Sequence, residues 1–406
     1  MRALRPVRTF AHLVNGYPFD SEDFSDSASM PLVRIRDLNS ETFETFIDPH
    51  LVPDRVVLKD GHVAIGMDGD FHARLWNRGK AALNQRVCAL VANPSSDPRF
   101  LAYALPKPLL EINALTYSTT VKHLSSKQVL AIGLPDWTFE EQRAIADFLD
   151  RETAQIDAMI DAQADVVRLA QEHRGAVVAE EMTVVSAGGA PAVPLRYCLT
   201  VQSGVTLGKQ FGDDAIEYPY LRVANVQAGY LNLDEIKTIR VSADVAASST
   251  LRAGDVLITE GGDRAALGRG ALWRGEIPNA LHQNHIFALR CEGLLDPEFL
   301  VYVLDAPPAR IYFESTRRQT TNLSSTNSGK VKAFKTPLPP IMKQREIVAR
   351  LNEALVRVDE VIASAQRVIE LLRERREALI TAAVTGRIDP DTGIERTDPT
   401  TAKEAS

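Results

Sequence analysis

Few residues of this chain stand at spacings that would let them do chemistry unaided. His282 and His285 are three apart, close enough to share a metal ion. No further ligand cluster accompanies them, so hydrogen bonding within a loop is the expected role. Asp68 and Asp70 flank Gly69 and read as a turn more than a cation site. The segment GVTLGKQ (204–210) has the glycines and lysine of a phosphate loop but neither its spacing nor the Ser/Thr after Lys. No GxGxxG opens a helix, and no Asn/Asp-Pro-Pro-aromatic signature of an amino-methyltransferase occurs. Cys88, Cys198 and Cys291 lie far apart among apolar residues, with no CxxC pair and an odd total. They read as core thiols in a reducing compartment. The expectation is a protein that binds rather than catalyses, with no metal site and no cofactor of its own.

Such a protein must be organised around surfaces, and 406 residues suffice for two or three domains. With 45% hydrophobic and 24% charged residues the composition is that of a globular chain. The sequence has no apolar run long enough to span a bilayer, for which about 18 residues are needed, and no signal-peptide core near its start. A cytoplasmic location with no membrane contact is therefore expected. The net charge of −7 discourages a nucleic-acid partner at first sight. The acidity, however, sits in residues 136–190 (net −8) and from residue 389 onward (net −3), while 1–135 and 191–336 each carry +1. Nearly neutral blocks of that size can hold a basic face.

An internal repeat governs the organisation. EEQRAIADFLDRETAQIDAMI (140–160) lies on MKQREIVARLNEALVRVDEVI (342–362) at a constant offset of 202 residues, matching Gln142 to Gln344, Arg143 to Arg345 and Asp157 to Asp359. Upstream, DPRFLAYAL (97–105) mirrors DPEFLVYVL (296–304) at an offset of 199. KDGHVAI (59–65) parallels RAGDVLI (252–258), and MPLVRIRDL (30–38) parallels YPYLRVANV (218–226). The drifting offset is what insertions in loops produce. The order is globular block, long helix, globular block, long helix.

Both repeated tails carry apolar residues at helical spacing: Ile145, Leu149, Ile156 and Ile160 in the first, Ile347, Leu351, Leu355, Val358, Ile362 and Leu372 in the second. Neither has an internal proline; Pro135, and then Pro337, Pro339 and Pro340, stand just before the helix starts. Some 40 residues of helix would span roughly 60 Å. A narrow stripe of that length needs a partner helix, and each copy is the obvious partner of the other. The blocks read as mixed α/β: VRIRDL, VVLKDGHVAIGM and RVCALVA as strands in the first, and YPYLRVANV, DVLITEG and NHIFALRC in the second, with a short helix over 297–304.

PLPPIMKQREIVARLNEALVRVDEVI (337–362), LLRERREALITAAVTGRID (371–389) and LPDWTFEEQRAIADFLDRETAQIDAMI (134–160) resemble the conserved regions of the specificity (S) subunits of type I restriction-modification systems. SGVTLGKQ (203–210) with YPYLRVANV, and NGYPFDSEDFS (15–25) with MPLVRIRDL, resemble openings of their target-recognition domains. The chain departs from the pattern where DWTF replaces a PPL-type run and where KQR replaces EQR in the second copy. The resemblance implies an α+β fold with an internal pseudo-twofold repeat. Two target-recognition domains (1–136 and 186–336) would be separated by two long helices (137–185 and 337–388) forming an antiparallel coiled coil, followed by a flexible tail (389–406).

In function it implies a non-catalytic DNA reader of a bipartite target. Two methyltransferase subunits would bring S-adenosylmethionine for adenine N6 methylation, and restriction or translocase subunits, where present, ATP with Mg. A coiled-coil scaffold with duplicated protein-binding domains is the alternative. Candidate DNA contacts are then polar residues of the two blocks: Arg317, Arg318 and Asn322 in one segment, or otherwise a solvated loop. Gln283 and Asn284, matched by Asn84 and Gln85, carry amides able to pair with adenine, or otherwise cap a turn. Lys209, Arg264 and Arg269, with Arg74 and Arg78 in the first block, are candidate phosphate ligands.

Overall fold

The computed structural model describes residues 2–26, 29–115, 122–206, 215–227, 229–262, 268, 270–316, 318–319 and 324–395. The chain divides into two units, 1–163 with 367–406 and 164–366. Each contains one repeated block together with part of both long helices.

In the first unit a four-stranded sheet runs in the order Ala11–Asn15, Val87–Ala92, Val63–Gly66, Ala73–Leu75, antiparallel throughout. In the second, the order Leu199–Ser203, Ile286–Cys291, Asp255–Thr259, Gly270–Leu272 repeats it strand for strand. Each unit adds a second sheet containing a parallel pair, Met30–Val33 with Ala81–Leu83 and Ile216–Leu221 with Leu281–His282. The helices Pro98–Ala104 and Pro106–Leu115 correspond to Pro297–Asp305 and Pro307–Thr316. The duplication read in the sequence is thus a duplication of fold.

Two sequence readings are corrected. VRIRDL and the end of YPYLRVANV are not continuous strands. Extended chain stops at Val33 and Leu221, and 3-10 turns follow at Ile35–Leu38 and Val223–Asn225. The cause is local: buried side chains of Asp37 and Asn225 accept hydrogen bonds from the backbone N–H groups of Arg34 (2.8 Å) and Arg222 (2.7 Å). That bond offers the chain an alternative to the sheet ladder.

The long helices are Phe139–Ala187 and Ile341–Thr385. Thr138 and Glu141 form a reciprocal cap at the start of the first. Gly386, at φ 80°, ends the second, with Arg387 N–H donating to the Ala382 carbonyl at 2.8 Å. Both helices are pinned by a buried glutamine. Gln142 accepts from Asp97 N–H at 2.9 Å and donates to the Trp137 carbonyl. Gln344 accepts from Asp296 N–H at 2.8 Å and donates to the carbonyls of Leu294 and Pro339. Asp97 and Asp296 are themselves the N-caps of the short helices, so a single amide ties two helix starts together in each unit.

The two long helices pack together and run antiparallel in each unit. Asp157 meets Arg376 in the first; Arg174 meets Asp359 and Glu181 meets Arg350 in the second. Ile145, Leu149 and Ile156, like Ile347, Leu351 and Leu355, are buried, most of them within their own unit's core. Ile160, Val358, Ile362 and Leu372 are only half-buried. The stripe is therefore completely covered where a block packs on the helix and only partly covered elsewhere, because one partner helix shields one side of a seam.

Candidate nucleic-acid interface

In the first unit three strand ends converge. Strand Ala11–Asn15 leads into Gly16, where an added Cβ would lie 1.9 Å from the Asn84 carbonyl oxygen; only glycine allows that approach. Tyr17 follows, bridged in parallel to Asn84, and Asn84 N–H donates to the Val33 carbonyl at 3.2 Å. Arg34, immediately after Val33, and Gln85, immediately after Asn84, therefore leave the sheet side by side. The second unit builds the same junction. Gly204 stands where a Cβ would be 2.0 Å from the His282 carbonyl oxygen, Val205 is bridged to Gln283, and Gln283 N–H donates to the Leu221 carbonyl at 2.9 Å. Arg222 follows Leu221.

The structure thus brings Asn84 and Gln85 to one junction and Gln283 and Asn284 to the other. Gln85 is exposed, while Asn84, Gln283 and Asn284 are half-buried. The Gln283 Oε1 accepts weakly from Val223 N–H at 3.4 Å. Arg74 is exposed and donates through Nε to Asn39 Oδ1 at 3.0 Å; it also lines an open groove of about 780 Å³ with Arg99, Tyr103 and Arg376. Arg78 is held locally. Its guanidinium stacks 4.5 Å from the Phe43 ring and 4.4 Å from the Trp76 ring and donates to the carbonyls of Asp37 and Ser40. Burial lowers its pKa from the usual value. Arg318 lies in the short strand Arg318–Gln319, paired with Ser324–Ser325. Lys209, Arg264, Arg269, Arg317 and Asn322 lie outside the described residues.

The residues considered for other chemistry settle into structural positions. His282 is fully buried, with Nδ1 3.0 Å from the Ile286 carbonyl oxygen, and burial pushes its pKa down to about 4. His285 is exposed and pairs with Glu260 at 2.8 Å. Asp68 is held by Arg86 and His123, and Gly69 turns at φ 71°. Cys88 and Cys198 are buried and Cys291 half-buried; burial pushes the thiols of Cys88 and Cys291 up to about 12. Among the described residues no group of three His, Cys, Asp or Glu could hold a metal ion, and no helix is long and apolar enough to cross a membrane.

Arg34 and Arg222 were not singled out by spacing, although the repeated LVRIRDL and YLRVANV segments carry them in register. In each, the Nε atom is buried without a hydrogen-bond acceptor among the described residues.

Residues 6–164 match the family described as the type I restriction modification DNA specificity domain. The Type I restriction enzyme EcoBI specificity subunit of Escherichia coli is 27% identical over 96% of this chain and 86% of its own length. The EcoKI specificity subunit of Escherichia coli (strain K12) is 21% identical over 97% and 91%. Among solved structures, a chain from work on complex assembly and conformational transition of the type I R-M system is similar with a TM-score of 0.50. It is 17% identical, with 94% of this chain and 98% of that one covered. The first block thus matches that domain family, and over nearly its whole length the chain is similar to type I restriction enzyme specificity subunits.

Proposed function

We propose that the chain is the DNA sequence-specificity subunit of a type I restriction-modification complex, reading a split target with one recognition unit per half. The observation that carries this is the strand-for-strand repetition of one junction, Gly16–Arg34–Asn84 and Gly204–Arg222–Gln283, in two blocks mounted on antiparallel helices. A duplicated reader presents two similar surfaces, and two half-sites at a fixed separation are what such a pair reads. Amide side chains at the junctions suit adenine edges, and the arginines suit phosphates or guanine. The chain itself is non-catalytic in this reading. Two methyltransferase subunits supply adenine N6 methylation and bind S-adenosylmethionine. Restriction subunits, where present, bind ATP with Mg, and the assembly works in the cytoplasm.

The test is to express the chain with the methyltransferase encoded beside it and to map methylated adenines across the host genome. A split motif that appears only when both proteins are present is the expected result. Methylation by the methyltransferase alone at the same sites, or by the isolated chain, would overturn the assignment.

A further inference from the structure

We propose that Arg34 and Arg222 are equivalent anchors for DNA phosphates, one in each recognition unit. The inference rests on the DNA-reading function above and deepens it by naming residues. The two copies have diverged around these arginines: Tyr17 corresponds to Val205 in the repeat, Asn84-Gln85 to Gln283-Asn284, and Leu83 to His282. The arginines have not. Both follow the last residue of a strand that is parallel to its neighbour. Their backbones are almost superposable, at φ −106°, ψ 169° and φ −103°, ψ 167°. Both N–H groups are capped by the buried side chain three residues on.

Both also carry the same defect. The Nε of each is removed from solvent with no acceptor among the described residues, although an unmet buried donor costs about 1–3 kcal/mol. Beyond that shared turn the surroundings differ: Arg34 lies 5.5 Å from the Phe24 ring, whereas Arg222 approaches Glu235 at 3.5 Å. A donor left unmet twice, in the same geometry, calls for an acceptor that arrives from outside. The guanidinium fork, Nε with one terminal nitrogen, matches two oxygens of a phosphate. Phosphate, rather than a base edge, is the part of DNA that two readers of different sequence share.

The test uses the full chain co-purified with its methyltransferase and a mixed-sequence DNA duplex, with affinity followed against salt concentration. Arg34→Met and Arg222→Met should each weaken binding on the order of tenfold at low salt and reduce the salt slope by about 0.9. Arg34→Lys and Arg222→Lys keep the charge and should keep the slope. Arg168→Met, which removes a charge from an exposed pair on the first long helix, should change neither. Thermal midpoints of the two Met variants should stay level or rise, since an unmet donor has been removed. A lowered midpoint with wild-type affinity and slope would make these arginines structural and overturn the proposal. Because the two copies are separate sites, a fold defect in one variant leaves the other as the test. A wild-type complex showing no salt-dependent DNA binding would instead overturn the DNA-reading function, and the anchor assignment with it.

Discussion

The two units are built to one plan and have drifted where the plan is indifferent. What both retain are the residues that fix crossings and helix starts: the glycines at 16 and 204, the N-capping Asp97 and Asp296, the buried Gln142 and Gln344, and the arginines at the strand ends. What differs is the filling. Leu83 in the first unit is His282 in the second, and the stacked Arg78 of the first has no counterpart beside Trp273 among the described residues. The shared parts fix where chains cross and helices start, while the changed parts alter how stable each unit is and at what pH. Equivalent substitutions at a shared part should therefore hurt each unit alike, and a substitution at a changed part has no equivalent in the other unit.

The largest effects are expected at the glutamines. Truncating Gln142 leaves the Asp97 N–H and the Trp137 carbonyl unmet, whereas truncating Gln344 strands the Asp296 N–H and two carbonyls. Each unmet buried group costs about 1–3 kcal/mol; both Gln142 bonds are buried, whereas those of Gln344 to the Asp296 N–H and the Leu294 carbonyl are only partly so, so each truncation should cost about 3 kcal/mol. Hydrogen exchange read by segment would locate each loss in its own unit. A larger cost for Gln142→Ala would break the equivalence of the two anchors.

His282 should add an acid-sensitive contribution to the second unit that its counterpart Leu83 cannot make in the first. Its folded pKa of about 4 lies below the unfolded value of 6.5, so the folded state favours the neutral ring. Its contribution is complete above pH 6.5, declines as pH falls through that window, and stops changing below about 4; the full span is roughly 3 kcal/mol. Denaturant midpoints between pH 7 and pH 4.5 should fall for the native protein. In His282→Leu, which installs the residue of the first unit, the part of that fall assigned to the second unit should disappear. An unchanged pH profile would show that other groups govern the acid limb.

A smaller effect belongs to Arg78. Its stacking on Trp76 and Phe43 and its two carbonyl contacts are confined to the first unit, so Arg78→Met should destabilise that unit by about 1 to 2 kcal/mol. A change in DNA affinity with stability intact would instead return Arg78 to the set of phosphate ligands proposed from sequence.

Much of this was legible before any coordinates. The matched Gln142 and Gln344, the repeated DPRF and DPEF segments and the apolar stripes are local patterns, and local patterns survive divergence as recognisable strings. The junctions were not legible, because they depend on crossings between strands distant in sequence. Nothing in GYPF or GVTL announces that a carbonyl from residue 84 or 282 will press against the glycine. Arg34 and Arg222 were hidden for a related reason: read as strand residues they would simply alternate, and only the caps from Asp37 and Asn225 turn the chain there. Half-burial of Ile160 and Ile362 was likewise invisible, since periodicity says which face is apolar but not how much of it a single partner covers.

The smallest expected effect separates two ion pairs made by arginines of the long helices, one in each unit. In the first unit Arg376 grips Asp157 through two nitrogens at 2.8 and 3.2 Å, but both side chains remain substantially exposed, at 34% and 49%. Water competes for such a pair, and long side chains lose entropy in making it. In the second unit Arg174 joins Asp305 at 2.8 Å and Asp359 at 3.2 Å, with Arg174 and Asp305 only 21% and 19% exposed. Lower exposure means less screening. A double-mutant cycle on Arg174 and Asp305 should give a coupling of about 1 to 2 kcal/mol, and one on Arg376 and Asp157 about 0.5 kcal/mol or less. Raising the salt concentration should erase most of the second value and leave much of the first. Equal couplings would mean that exposure is not what distinguishes the two pairs.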